Sequence, residues 1–561
     1  MATTFAIVEA AASTSSSTQD FESSGFGQPD AAIIISNGAT SNDGTIADMW
    51  RYSIGFTDGT NSRCAFSAAR HNRASTSTFR GGVQGVLAHF GDSLFGSEEC
   101  LADFDSWLTN GIRFSWSNNP SSAFRVVVVL IKGGDFSVGD QDTPSSGTGS
   151  VTNLGFEPQT VFFTSSRTSG ADFSSTSTRR ASHGAWSFGV ANDNGSSIDQ
   201  GSLNWLELQS QAAGAPAVDL LQDGMLANPG GGSSGERFSV EDFRATDNGA
   251  FTYRIDSGSS SKPCAYLACR WDGNSAHVGF DDTPTSTGEN AYTDPGFSPV
   301  FGLIVASTMD AAGYANDSDA GAVALSAFTG TTDRYSFSVA SEDAADTTNT
   351  QSVADSTNAL NVDLDTGAGG YLADLSSLDS SGFTLDYTAT DSTARKLIIL
   401  TVSAVGATVG LSTSVTADAD LTSAVGKKVG LSSSVTADAD LTSAGGKKVG
   451  LSAAVTADAD LSSVLLVDSS ATVGLSTSVT ADADVSSVLL VDSAGVVSLA
   501  ASMQSSVEID SRSNILLGLA TGVVANLDNS CNISVAGIFK TGNEALWKVR
   551  PRPATWIVGE S

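Results

Sequence analysis

Two short serine motifs are the stretches of this sequence whose residue types could support catalysis. GDSL at 91–94 offers Ser93 as a nucleophile, and GGSSG at 231–235 fits the G-x-S-x-G pattern of a nucleophile elbow. A serine nucleophile needs a histidine base and oxyanion donors. No late Asp-x-x-His supplies that base, and GGSSG lies in a Gly/Ser loop instead of between a buried strand and a helix. The four histidines all precede the last half of the chain: His71, His89, His183 and His277. We therefore predict no catalytic residue and no enzyme.

Oxygen-rich turns are the candidates for cation binding. NDNGSS at 192–197 and NDSDAG at 316–321 could offer ligands to Ca²⁺, but neither has the EF-hand spacing, and solvated Asx turns account for both. Four aspartates recur at one place in the C-terminal repeats and could stack as a cation-binding ladder: Asp418, Asp438, Asp458 and Asp482. A solvated negative face is the simpler explanation. We predict no metal site and no cofactor, with Ca²⁺ as the one cation that these residues could hold.

Composition and charge indicate an all-β chain that does not bind nucleic acid. Only 16% of the residues are charged, 57 are glycine, and no long stretch has a helical period, which favours turn-rich β structure. The net charge of −33 repels phosphate backbones. The five cysteines are widely spread, and Cys264 and Cys269 are expected to be small apolar residues of one strand. We see neither a signal peptide nor an apolar segment long enough for a membrane span, so no membrane insertion is expected.

The first 400 residues contain one sequence pattern three times. The first anchor is Gly-Phe before a proline and an apolar run, at Gly25, Gly155 and Gly296. The second anchor is Gly-x-Leu-Ala, at Gly85, Gly224 and Gly370. Both serine motifs follow this anchor, and the third copy, LADLSSLDS, has neither, so a variable loop explains them. The third anchor is a glycine that opens an alternating strand, at Gly111, Gly249 and Gly382.

An apolar run follows each third anchor at the same distance. These runs begin at Val126, Cys264 and Leu397, 15 residues after the third-anchor glycine in every copy. The equal spacing predicts a hairpin or Greek-key pair in each repeat. RVVVVLI at 125–131 is expected to be a buried strand. Because apolar sheet faces must pack on one another where no helix covers them, we predict three tandem β-sandwich, jelly-roll-like modules. Their predicted limits are 1–135, 136–277 and 278–403.

A second kind of repeat occupies 404–540. VGLSTSVTADADLTS starts at Val409 and recurs with small changes at Val429, Val449 and Val473. Within a copy, apolar and polar residues alternate over the whole segment, which predicts one long two-faced strand. Such a strand can bury its apolar face by stacking with other copies in the chain or by wrapping with other chains. We therefore predict a repetitive β shaft.

The last segment, 541–561, differs from everything before it. WKVRPRPATWIVGES combines two prolines that favour extended backbone with two arginines and two tryptophans. We predict an extended tail that docks on a partner or closes the last domain. The candidate interface residues are Trp547, Arg550, Pro551, Arg552, Pro553 and Trp556.

The Gly-Phe-x-Pro openings, the alternating third-anchor strands and the VTADAD repeats resemble parts of bacteriophage virion structural proteins, of the tail-fibre or head-surface type. This resemblance implies a non-enzymatic, trimeric fibre or surface appendage that is located in the virion and attaches to the host surface. The partners it implies are other copies of the chain, other virion proteins and a host-surface glycan. The alternatives are an architectural head decoration, collar or tail component without a host ligand, a bacterial adhesin, and a depolymerase or esterase. Ligand contact is expected in the loops after Gly85, Gly224 and Gly370.

Overall fold

The computed structural model describes most of residues 3–403, and from residue 409 onward it describes the backbone of the strands only. The undescribed stretches before 404 are 49, 91–97, 143–145, 167–172, 174–177, 180–182, 195–196, 209–215, 223, 225, 231–232, 244–248, 258–262, 316–319, 343–347 and 363–369. Every helix or strand in the described residues is a β-strand, so the all-β prediction is confirmed. The chain divides into two compact units, an N-terminal unit of Met1–Val405 and a C-terminal unit of Gly406–Ser561.

The first repeat supplies eleven of the strands that the structure describes. They are β1 Thr4–Ala11, β2 Thr18–Glu22, β3 Ala31–Ser36, β4 Ala47–Asp48, β5 Trp50–Thr57, β6 Ser62–Ala69, β7 Thr78–Val83, β8 Leu87–Phe90, β9 Glu98–Leu108, β10 Gly111–Asn118 and β11 Arg125–Lys132. They build a large sheet in the order β1-β11-β3-β5-β6-β7 and a small sheet in the order β2-β10-β9-β8. The predicted strand at 125–131 is β11, and its central residues are buried.

The second and third repeats have the same strand order as the first. The second contains β12 Asp135–Asp142, β13 Thr148–Val151, β14 Thr160–Ser165, β15 Thr178–Arg179, β16 His183–Asp193, β17 Ile198–Leu208, β18 Pro216–Leu221, β19 Leu226–Gly230, β20 Ser233–Asp242, β21 Phe251–Ser257 and β22 Pro263–Arg270. The third contains β23 Ala276–Asp282, β24 Gly288–Tyr292, β25 Pro299–Ser307, β26 Gly313–Ala315, β27 Ala320–Phe328, β28 Arg334–Glu342, β29 Thr350–Asp355, β30 Leu360–Asn361, β31 Leu372–Asp379, β32 Gly382–Ala389 and β33 Lys396–Ser403. Each repeat again has a large and a small sheet, and all the pairs are antiparallel.

The fourth strand of each repeat completes the large sheet of another repeat. Strand β15 pairs with β7, β26 pairs with β18, and β4 pairs with β29, so each large sheet has seven strands. The second repeat thus donates to the first, the third to the second, and the first to the third. The three repeats form a closed ring through this cyclic exchange, and they lie in one compact unit.

One hydrophobic core is shared by all three repeats. It contains buried residues of every large sheet. Tyr52 of the first repeat stacks on Trp186 of the second, with ring centroids 4.1 Å apart and planes 2° apart. Phe5 stacks on Phe301 of the third repeat at 4.5 Å. Separate clusters fill the space between the large and the small sheet of each repeat. The apolar faces predicted from the sequence are therefore buried both within and between repeats.

Of the two arrangements predicted from the equal spacing after the third anchor, a hairpin or a Greek-key pair, the hairpin is wrong. Strand β10 lies in the small sheet and β11 in the large sheet, and the other two repeats repeat this crossing. Sterics explain why the third anchor is a glycine in every repeat. A Cβ at Gly111 would lie 2.0 Å from the carbonyl oxygen of Phe21, and at Gly249 and Gly382 it would meet a backbone oxygen equally closely. Only glycine permits this approach.

The predicted equivalence of the three Gly-x-Leu-Ala anchors is wrong for the third repeat. Gly85 and Gly224 lead into β8 and β19, which are equivalent strands. Gly370 instead leads into β31, the equivalent of β9, and β30 takes the place of β8. The segment after Gly370 is therefore not the counterpart of the loops that follow Gly85 and Gly224, and its lack of a serine motif says nothing about those loops.

The C-terminal unit consists of strands that alternate between two parallel sheets. The first sheet contains β34 Val409–Val415, β36 Lys428–Val435, β38 Lys448–Val455, β40 Thr472–Val479, β42 Gly495–Ala501, β44 Ile515–Leu519 and β46 Ile533–Ala536. The second contains β35 Ala419–Ser423, β37 Ala439–Ala444, β39 Ala459–Val467, β41 Ala483–Val491, β43 Ser506–Ser511, β45 Val524–Asn529 and β47 Lys548–Val549. Copies pair in register, with Val409 opposite Val429 and Leu411 opposite Leu431.

The prediction of one long strand per copy is wrong. Each copy contributes one strand to each sheet: in the first copy, one strand ends at Val415 and the next begins at Ala419, both within VTADAD. Apolar–polar alternation continues across the break, so it could not reveal it. The four aspartates of the proposed cation ladder, from Asp418 to Asp482, lie outside the described residues. In the part of the chain that the structure describes, we find no helix long and apolar enough to cross a membrane.

Candidate binding cleft

A polar cleft of about 350 Å³ opens on the first repeat. It lies between the β5–β6 turn, the β7–β8 turn and the middle of β9. We call it the Asp103 cleft, and its lining residues are Thr60, Asn61, Ser62, Arg63, Gln84, Asp103 and Phe104. Gln84 immediately precedes Gly85, the position after which the sequence predicted ligand contact, whereas 91–97 of the following loop lie outside the described residues.

The β5–β6 turn is held by the carboxylate of Asp58. Its Oδ1 accepts hydrogen bonds from the backbone N–H groups of Thr60, at 2.8 Å, and Asn61, at 2.6 Å. Its Oδ2 accepts one from the backbone N–H of Val138 in the second repeat, at 2.8 Å. This wall of the cleft is therefore fixed both within the turn and against the neighbouring repeat, as a preformed site requires.

Arg63 is already engaged with the second repeat. Its guanidinium forms an ion pair with Asp140 of β12, and its Nη1 donates a hydrogen bond of 2.8 Å to the backbone oxygen of Ser62. These contacts direct the Arg63 guanidinium to Asp140. The positive charge nearest the cleft is thus largely neutralised by a partner of its own.

Asp103 is the open acid of the cleft. It lies on β9, opposite Ser115, and it is half-buried. Among the described residues, its carboxylate has no hydrogen-bond or ion-pair partner, and burial raises the pKa of the Asp103 carboxyl. Beside it, the ring of Phe104 packs edge-on against Trp107, with centroids 4.9 Å apart. The cleft therefore combines an unpaired carboxylate with an aromatic wall.

Strand register identifies the residues equivalent to Asp103. Its partner Ser115 lies four residues after the third-anchor glycine. The residue opposite that position in the third repeat is Asp374. In the second repeat, the pairing of β21 with β13 aligns Arg254 with Ser115, and the residue opposite Arg254 is Ser239. The same counting through the large sheets makes Gln200 and Arg334 the equivalents of Ser62.

In the other two repeats, the residue equivalent to Ser62 fills this space. Gln200 accepts a hydrogen bond from the backbone N–H of Val240 at 2.8 Å and donates one to its oxygen at 3.2 Å. Arg334 binds Asp374 through both Nε and Nη2, the latter at 2.8 Å. Ser62 is too short for either contact, and its hydroxyl donates to Thr57 at 2.9 Å instead. The Asp103 cleft is the space that a longer side chain occupies in the other repeats.

The catalytic motifs do not form a site in the described residues. Ser93 lies outside them. Ser233 begins strand β20 and pairs with Gly230 in a hairpin, so the expectation of a plain loop is corrected, and the strand leaves no helix for a nucleophile elbow. His89 is buried with its Nε2 3.0 Å from the hydroxyl of Ser36. Burial, and secondarily the charge of Arg51, hold the pKa of His89 well below its usual value.

The remaining predicted residues divide between described and undescribed parts of the chain. Cys264 and Cys269 are buried free thiols of β22, as predicted. In the segment 192–197, of which 195–196 lie outside the described residues, the Nδ2 of Asn194 donates to Ser197 and Asp199. Among the described residues, no group of three or more His, Cys, Asp or Glu side chains could hold a metal ion. The C-terminal candidates lie outside the described residues: Trp547, Arg550, Pro551, Arg552, Pro553 and Trp556.

Comparisons with known proteins identify no family. No family model matches the sequence, and no curated protein matches it. A solved structure described as a loop L8 deletion mutant of OmpT, an outer membrane protein of Vibrio cholerae, is 10% identical over 72% of this chain and 100% of that chain. Its TM-score is 0.08, so the likeness carries no argument.

Proposed function

We propose that this chain is a non-enzymatic structural protein of a bacteriophage virion, an oligomeric fibre or surface appendage that attaches the particle to the host surface. The resemblance of its repeats to virion proteins supports this function. In the proposed architecture, the three repeats are jelly-roll-like sandwiches and the parallel strands of the C-terminal unit form a shaft. The trimer of chains and the virion location belong to this proposal.

The Asp103 cleft is the observation that carries an attachment role beyond a purely architectural one. The same position is closed internally in the second and third repeats. An acid that is half-buried and left without a partner is costly for folding alone, because desolvation disfavours its charged form. A binding surface gives a reason to keep it, since a ligand can supply the missing partner.

The proposal is tested on particles and on the purified full-length chain. Particles made by the genome that carries this sequence are purified, and mass spectrometry and antibody labelling locate the chain. We expect it at a fibre or surface projection, and we expect soluble chain to reduce particle adsorption to host cells. Absence of the chain from purified particles overturns the virion role. Presence without any competition for adsorption supports the architectural alternative instead.

A further inference from the structure

We propose that the Asp103 cleft binds a guanidinium group, the end of an arginine side chain presented by a partner protein. This inference goes beyond the proposed function, because it concerns the chemistry of one partner and does not depend on where the chain is located. It rests on the comparison of the three repeats.

The third repeat shows which group the equivalent acid takes. Asp374 occupies the register position of Asp103, and the Arg334 guanidinium contacts both of its oxygens. The Nη2 of Arg334 also donates to the backbone oxygen of Thr357 at 2.6 Å. Two parallel N–H···O bonds to one carboxylate give the pair its geometric specificity. The first repeat has an aspartate at the same position, but it has a serine, Ser62, where the third repeat has this arginine.

The charge around the cleft favours a cation. Asp58, Asp103 and Asp140 lie at or beside it, and Arg63 is the one cation among its lining residues. Because Arg63 is paired with Asp140, the Asp103 carboxylate is left without a counter-charge. The chain as a whole carries a net charge of −33, which attracts basic partners over longer distances.

The residues that line the cleft favour guanidinium over ammonium. Phe104, half-buried on the adjoining position of β9, is one of them, and a planar cation stacks on an aromatic ring better than an ammonium does. Thr60 and Gln84, whose side chains carry acceptor oxygens, also line the cleft. A guanidinium has five N–H donors in one plane, whereas an ammonium is a compact point charge. Lysine should therefore bind more weakly than arginine.

The experiment uses the full-length chain and three synthetic pentapeptides, acetyl-Gly-Gly-X-Gly-Gly-amide, with X as arginine, lysine or citrulline. Citrulline keeps the shape of arginine without its charge. Calorimetry at low ionic strength should show binding of the arginine peptide, weaker binding of the lysine peptide, and none of the citrulline peptide. Asp103→Asn should weaken arginine binding about tenfold or more, since it removes a charged bidentate acceptor.

Two further variants separate the cleft from general charge effects. Ser62→Arg restores the side chain found in the third repeat, so it should fill the cleft, abolish peptide binding and leave the chain at least as stable. Asp374→Asn is the matched control, because it removes an acid from the same register position of a closed repeat, and arginine binding should stay within about twofold of wild type.

Three results would overturn the inference. The first is equal binding of the citrulline peptide, which would make charge irrelevant. The second is arginine binding that survives in both Asp103→Asn and Ser62→Arg, which would place the site elsewhere. The third is binding of a neutral disaccharide, with maltose as the probe, that Ser62→Arg abolishes while the arginine peptide fails to bind. Circular dichroism and denaturant unfolding of each variant confirm that it is folded.

Discussion

Asn37 is the side chain through which the ring of repeats can be opened selectively. It lies directly after β3 of the first repeat and is buried. Its Nδ2 donates hydrogen bonds to the backbone oxygens of Ser338, at 3.0 Å, and Val353, both in the third repeat. Its Oδ1 accepts a hydrogen bond of 3.1 Å from the backbone N–H of Ala39. The replacement Asn37→Ala removes all three bonds, two of which cross the seam between residues some 300 positions apart in the sequence.

The expected cost follows from these bonds. A typical hydrogen bond contributes about 1 kcal/mol net, and a buried acceptor that loses its partner costs about 1–3 kcal/mol. We therefore expect Asn37→Ala to lower the free energy of opening at this seam by about 2–4 kcal/mol. Because about 1.4 kcal/mol is a factor of ten, this change corresponds to roughly 30- to 700-fold faster hydrogen exchange of the backbone amides at the seam.

Hydrogen exchange followed by mass spectrometry measures this opening directly. Two backbone amides report on it because their hydrogen bonds cross the seam: Gly44 donates to Ala354 at 3.2 Å, and Ser356 donates to Asn42 at 2.9 Å. Peptides that contain these amides should lose protection in Asn37→Ala. Amides of strands away from the seam should keep theirs.

Asn119→Ala is the matched control. The Nδ2 of Asn119 also donates to two backbone oxygens, those of Ser13 at 3.0 Å and Ser16 at 2.8 Å, but within the first repeat and near the surface. It should leave exchange at the seam unchanged. If Asn37→Ala and Asn119→Ala have the same small effect on the Gly44 and Ser356 amides, the seam does not depend on Asn37 and the reasoning is refuted.

Three other predictions concern pH, glycine and thiols. The pKa of His89 in the folded chain lies well below 6.5, so on acidification the unfolded chain binds the proton first. The free energy of unfolding should therefore fall below pH 6.5 by up to about 1.4 kcal/mol per pH unit. In urea unfolding at pH 7.5 and 5.5, His89→Gln should lack this contribution to the pH dependence. Gly111→Ala should destabilise the chain by about 3 kcal/mol or more, because its Cβ would collide with a backbone oxygen. Gly25 has a φ of +78° and no atom near the position of a Cβ, so Gly25→Ala should cost only about 1–2 kcal/mol in the same unfolding assay. The thiols of Cys264 and Cys269, whose pKa values are raised by burial, should react with a chromogenic disulfide reagent only after unfolding, and rapid reaction of the native chain would contradict their placement.

The sequence was informative where a single strand carries the signal. The apolar run of β11 and the buried cysteines of β22 are each determined by local chemistry, so a pattern in a few residues was enough. The all-β class follows from the same local patterns. These features needed no knowledge of what pairs with what.

The pairing of strands that are distant in the chain could not be predicted from the sequence. Strand β4 is two residues long, and nothing in Ala47–Asp48 indicates that it pairs with β29. The Asp103 cleft was missed for a related reason. The residues that open or close it are serine, glutamine and arginine in the three repeats, so they share no pattern, and only strand register shows that they are equivalent.

Closure of the ring within one polypeptide has a consequence for valency. In an assembly of three identical subunits, every substitution appears three times around the axis. Here each repeat is encoded separately, so Ser62 occurs in one position while Gln200 and Arg334 stand in the other two. One chain therefore presents one Asp103 cleft, with two closed neighbours as structural support. Multivalent binding would have to come from the number of chains displayed side by side.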